Sequence, residues 1–199
     1  MDTLPHLEAK QSRLEPSQFE QTVLLLRGGG ALGSFQAGVY QALAEADLDP
    51  DWVAGISIGA INAALIGGNP RESRVEKLRE FWEAVSTPPL GLPHLASIEI
   101  NDDVIHRVIN QTRALGIMLF GAPHFFTPRL LSPMFWPSPK ADQLSFYDVA
   151  PLRTTLERLV DFDRINAGGM RFRVGAVNVK TANFVYFDSA CGRGDRVKS

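Results

Sequence analysis

Two short stretches of this chain hold residue types that could do chemistry. Residues 55–59 read Gly-Ile-Ser-Ile-Gly, and residues 28–33 read Gly-Gly-Gly-Ala-Leu-Gly. The first is a G-x-S-x-G pattern. At a sharp strand-to-helix turn, glycines flanking a serine let the chain reverse without collision and leave the hydroxyl projecting from the turn. Ser57 is therefore the candidate nucleophile, and Gly55 and Gly59 are the small residues of its elbow. A helix starting just after Ser57 would offer its dipole and free N–H groups to negative charge developing on a substrate. The plainer alternative is a small-residue turn in which Ser57 is an ordinary N-cap.

The glycine run admits two anions. Gly28, Gly30 and Gly33 satisfy G-x-G-x-x-G between a strand and a helix, a pattern that suits the pyrophosphate of a dinucleotide. That use needs an acidic residue at the end of the second strand to hold the ribose. Asp51 instead precedes Trp52, and the strand runs into Ala54-Gly55. No Gly-Lys-Ser/Thr follows the glycines, so a P-loop is excluded. In a parallel sheet, however, the loops after neighbouring strands emerge at the same edge. The backbone N–H groups of Gly29, Gly30 and Ala31 would then point into the space above Ser57, and the loop would hold the oxyanion of an acyl transfer. Gly28 and Gly33 frame that loop. No cofactor is expected.

These residues need a particular scaffold. Thr22 to Leu26 is a short apolar run without alternation, as for a parallel strand buried on both faces. Ser34 to Ala46 has helical spacing, Asp47 to Asp51 is a turn, Trp52 to Ala54 is a second strand and Ala60 to Ile66 a second helix, ended by Gly67-Gly68-Asn69-Pro70. Strand, helix, strand, helix implies a right-handed parallel crossover. Arg71 to Val85 is an amphipathic helix and Asp102 to Leu119 another candidate. Residues 121 to 139 place five prolines among large apolar residues, giving either irregular chain packed on the core or a wall over an apolar substrate site. Asp148 reads as an N-cap with Pro151 in the first turn of a helix through about Val160. Met170 to Val179 and Asn183 to Asp188 form an antiparallel hairpin joined at Lys180 to Ala182.

Composition narrows the partners. The 199 residues are 45% hydrophobic and 21% charged, enough for one globular domain with a full core. A net charge of −2 gives no footprint for nucleic acid, and no Lys/Arg run suggests docking on an anionic membrane. A lipid partner must be held by apolar surface, which leaves room for peripheral membrane contact. Cys191 is alone, so neither a disulfide framework nor zinc-type spacing exists. Residues 1–20 are polar, contain Pro5 and Pro16 and lack the apolar segment of a signal peptide, and the expectation is a cytoplasmic protein with a loose arm over 1–20, a domain over 21–190 and a tail over 191–199.

The combination of Gly28-Gly29-Gly30-Ala31-Leu32-Gly33 with Gly55-Ile56-Ser57-Ile58-Gly59 resembles the patatin-like phospholipase family, firmly over residues 22 to 70. The segments DVAPLRTTLERLVDFDRIN and FRVGAVNV are similar to its bacterial branch. The resemblance implies an α/β fold, a central mostly parallel sheet with flanking helices, and a metal-free acyl hydrolase working on phospholipids and other acyl esters through a Ser-Asp dyad. Ser57 matches the nucleophile, and the glycines at 28 to 30 match the oxyanion loop. Leu32 stands where many members have Arg or Lys. The dyad acid belongs to an Asp-Gly-Gly or Asp-Gly-Ala motif, and this sequence contains no Asp-Gly pair. The expectation is a chain incomplete at its C-terminal side. Asp188 is the least implausible replacement base, with Asp195 behind it. His94, His106 and His124 satisfy the order of a Ser-His-Asp triad and nothing more. A catalytically silent lipid-binding or interaction domain is the alternative function.

Overall fold

The computed structural model describes residues 19–86, 122, 124–128 and 147–190. Expectations for the arm, for Asp102 to Leu119, for His94, His106 and Asp195, for Cys191 and the tail, and for most of 121 to 139 lie outside these residues. Within them the chain runs β1 (Val23–Leu26), α1 (Gly33–Glu45), β2 (Trp52–Ile56), α2 (Ile58–Gly67) and α3 (Arg74–Ser86). Two-residue strands β3 (Thr127–Pro128) and β4 (Tyr147–Asp148) then pair antiparallel. They are followed by α4 (Ala150–Leu159), α5 (Phe162–Ala167), β5 (Arg171–Val177) and β6 (Phe184–Asp188).

The principal sheet has the order β1-β2-β5-β6. β1, β2 and β5 are parallel, with Val23 opposite Trp52 and Trp52 opposite Arg171, and β6 returns antiparallel to β5. This is an α/β sheet of mostly parallel strands, as expected. The expected hairpin is present too, its strands somewhat shorter than the apolar runs that signal it.

One expectation fails in an informative way. β1 is not buried on both faces: Leu26 is buried while Leu25 is 75% exposed. From β1 to β2 to β5 the chain moves in one direction across the sheet, and two crossovers of the same hand that move the same way place their helices on the same face. α2 packs directly on the sheet, with Gly67 against Phe172 and Val53, while α1 and α3 pack on α2. The core therefore lies on this one side, among Val53, Leu65, Ile66, Leu78, Phe81 and Phe172. On the other face Leu25, Ile56, Phe184 and Tyr186 are exposed, and Arg171 and Arg173 lie over the rings of Trp52 and Tyr186 at 4.3 and 4.6 Å.

α2 is the central helix of the fold. IGAINAALIG is apolar nearly all round and is buried from Asn62 to Gly67, as a helix wedged between a sheet and two other helices must be. β2 is two residues longer than expected and α2 begins two residues earlier, so the strand-to-helix reversal collapses onto Ser57 alone. α4 is capped differently from the expectation: Val149 occupies the N-cap position, and the Asp148 carboxylate accepts the N–H of Ala150 at 3.0 Å. α5 is an addition to the expected elements, although Asp161 accepts the N–H of Arg164 at its start and Gly168 closes it at φ 80°. Of residues 121 to 139, Ala122 is buried and Phe125 packs against the core, 6.4 Å from Phe81 between ring centroids. These residues follow the core-packing alternative.

Candidate active site

Ser57 occupies the single residue between β2 and α2, with φ 55° and ψ −129°. A non-glycine residue at positive φ is strained by about 1–3 kcal/mol and persists only where its surroundings enforce it. The enforcement comes from two glycines. A Cβ on Gly55 would lie 2.3 Å from the carbonyl oxygen of Gly59, and one on Gly59 would lie 2.2 Å from that of Leu26. The end of β1, the end of β2 and the first turn of α2 thus meet backbone to backbone.

The N-cap alternative fails on geometry. A capping serine has extended backbone angles and accepts an N–H from the first turn. Ser57 has neither property, for its side chain makes no capping hydrogen bond and the residue is exposed. The first free N–H groups of α2, those of Ile58 and Gly59, find no acceptor among the described residues. Positive potential at this helix start is therefore open to a ligand.

The glycine loop faces the same point. A Cβ on Gly28 would sit 3.3 Å from the Cβ of Ser57 and 3.8 Å from its Oγ. Gly29 has φ 154° and Gly30 φ 56°, and a Cβ on Gly30 would meet nothing within 4 Å. Residues 30–32 form one turn of 3-10 helix, closed by Leu32 N–H donating to the Gly29 carbonyl at 3.2 Å. The N–H groups of Gly29, Gly30 and Ala31 have no acceptor among the described residues. Gly33 is fixed by packing, since a Cβ there would lie 2.6 Å from Ile58 and 2.9 Å from Trp82. All the residues singled out by the two motifs are thus brought to one edge of the sheet. A hydroxyl raised on a strained turn beside open amide donors can attack a carbonyl and stabilise the resulting oxyanion.

The dinucleotide alternative loses its acid. Asp51 lies at the start of β2, the far end from the loop, and its carboxylate accepts the N–H of Thr22 at 2.8 Å. Asp188 is equally misplaced as a base. Asp188 stands opposite Arg173, which is aligned with Ala54, so it is two strands and three residues away from Ser57. That is about 10 Å across the sheet and about 10 Å along it. Its carboxylate is buried and accepts from Arg171 at 2.7 and 3.2 Å and from the N–H of Ala190 at 3.0 Å. The Arg171 guanidinium above all holds the carboxyl below its ordinary pKa, against the opposing effect of burial. This is an ion-paired structural carboxylate, not a base. His124 sits in an exposed turn at φ 63°, its carbonyl accepting from the buried Thr155 hydroxyl.

Comparison with known proteins decides the family. The model of the Patatin-like phospholipase family matches residues 24–196, most of the chain. The chain belongs to the patatin-like phospholipase family. Among curated proteins, the triacylglycerol lipase SDP1L of Arabidopsis thaliana is 40% identical over 63 residues, which are 31% of this chain and 8% of that protein. This patatin-like chain therefore matches only a small part of its curated relative's length. No solved structure matches it significantly. The glycine loop and serine elbow of this family member both lie inside the matched residues.

Three further residues of the site, Gln36, Asn62 and Trp82, carry no motif in the sequence. Asn62 is buried within α2 and bonded to Gly33, Gln36 and Trp82, and Gln36 in turn reaches the Arg27 carbonyl. The available signal was a lone amide in an otherwise apolar helix.

Proposed function

We propose that this protein is a serine acyl hydrolase of lipid esters, with Ser57 as nucleophile. Ser57 Oγ attacks the acyl carbonyl, and the N–H groups of Gly29, Gly30 and Ala31 receive the tetrahedral oxyanion. The alcohol departs with a proton, and water then releases the acyl group from the serine. Each such amide contributes about 3–4 kcal/mol to the transition state. The observation that carries the reading is the idle hydroxyl of Ser57 at φ 55°, set beside a loop whose amides are unpartnered among the described residues. Membership of a lipid-hydrolysing family and the partial similarity to a triacylglycerol lipase support the substrate class.

The general base, in this proposal, is an aspartate outside the described residues. No described carboxylate or histidine is positioned to take the serine proton, and general-base assistance accelerates such a step by about a hundred- to ten-thousand-fold. Peripheral contact with a lipid surface delivers the substrate. No described helix is long and apolar enough to cross a membrane.

The lack of a base beside Ser57 among the described residues favours a second reading, a lipid-binding domain without turnover. The two are separated by p-nitrophenyl acyl ester hydrolysis. The hydrolase hypothesis expects turnover that is lost in Ser57→Ala with little change in thermal unfolding. Vesicle binding with no turnover above Ser57→Ala would favour the silent domain.

A further inference from the structure

The oxyanion loop is tied to the rest of the protein by a chain of side-chain hydrogen bonds with a fixed direction. Trp82 Nε1 donates to Asn62 Oδ1 at 3.1 Å. Asn62 Nδ2 donates to the Gly33 carbonyl at 2.9 Å and to Gln36 Oε1 at 3.0 Å. Gln36 Nε2 donates to the Arg27 carbonyl at 2.7 Å. The indole can only donate and a backbone carbonyl can only accept, so the two ends leave each amide a single orientation. Every polar atom of the Asn62 side chain is then used, as burial requires.

We propose that Gln36 and Asn62 are positioning residues for acyl hydrolysis: the relay Trp82–Asn62–Gln36 clamps both ends of the glycine loop, at the carbonyls of Arg27 and Gly33, to the helix that begins at Ser57. This inference rests on the reading of residues 28–31 as an oxyanion loop. Its motivation is that the loop's own support is purely local. Among the described residues, its backbone is held by Leu32 N–H on the Gly29 carbonyl, Gly33 N–H on the Gly30 and Ala31 carbonyls and the Ser34 hydroxyl on the Ala31 carbonyl, and Gly29 and Gly30 both lie at positive φ. α2 supplies the nucleophile at its first turn and the clamp one turn later, so loop and nucleophile share one rigid support. The distance from donor to reacting oxygen is then set by side chains that never touch substrate. A misplacement of about 1 Å in such a site costs about a hundredfold in rate.

Two variants of one half-buried position test this. Gln36→Glu keeps the shape and the acceptor facing Asn62 but cannot donate to Arg27, whereas Gln36→Met keeps the length and loses both bonds. A packing role would survive at least one of them. The first readout is backbone order by 15N relaxation at Gly28–Ala31, which needs no activity. The wild type is expected at order parameters of about 0.8, and both variants below about 0.6. The second is the rate of fluorophosphonate labelling at Ser57, expected to fall about 10- to 100-fold in both variants. Unchanged order in either folded variant would overturn the clamp. A wild-type chain that never labels would defeat the nucleophile reading, while the order parameters would still decide the clamp.

Discussion

Gly28 lies against Ser57, so near that a methyl group at residue 28 would come within 3.3 Å of the serine Cβ. Sequence separation of 29 residues is cancelled by the parallel pairing of β1 with β2, which delivers both loops to the same sheet edge. The contact leaves little room for a side chain in the loop's first position. It also brings the start of the glycine loop to the side of the serine hydroxyl.

The strain at Ser57 should be measurable as stability. Ser57→Gly relieves the positive φ that Ser57→Ala retains, so the glycine variant should be more stable than the alanine variant by about 1 kcal/mol. Denaturant melts of the two would show it. Both variants should be inert toward an active-serine probe, because neither carries the hydroxyl.

Glycines at the elbow and glycines in the loop should fail differently. Gly55→Ala and Gly59→Ala push a Cβ to within 2.3 Å of backbone, which cannot move as a side-chain tip can, and should cost about 3 kcal/mol or more. Gly30→Ala enters open space and is penalised only for its φ of 56°, about 1–2 kcal/mol. It should remain folded and lose reactivity at Ser57. Circular dichroism melts with parallel labelling would separate the two cases.

Asp188 should govern acid stability and not reactivity. Its pKa is lowered in the folded state, so the stabilisation is full above the ordinary value of 3.8 and is lost as pH falls through the lower folded value. Asp188→Asn should cost about 1–3 kcal/mol near neutral pH and flatten the loss of stability in acid. Labelling of Ser57 per folded molecule should not change. A large drop would reinstate Asp188 as a partner of the serine.

The legible part of this protein is the part governed by local rules. G-x-S-x-G and the glycine run fix backbone shape within a few residues, and both lie where their spacing with the two strands requires. The turn after α1, the stop at Gly67–Pro70 and the hairpin are readable for the same reason. What cannot be read depends on which surfaces meet. The apolar run at 22–26 looks the same whether one or both faces are covered, and only the direction of strand order shows that Leu25 faces outward. Asp188 gives no hint in sequence of its pairing with Arg171, 17 residues back on the neighbouring strand. Asn62 is visible as an oddity in α2, but its role appears only when Gln36 and Trp82 arrive from two other helices.

The assignment of Ser57 as nucleophile is best put to fluorophosphonate labelling of the folded 199-residue chain across pH 7–10, with the modified residue identified by mass spectrometry and Ser57→Ala beside it. A single adduct on Ser57 and none in the variant is the expected result. A cooperatively folded chain that takes no label at Ser57, or takes it equally in Ser57→Ala, would contradict the assignment of nucleophile and oxyanion loop.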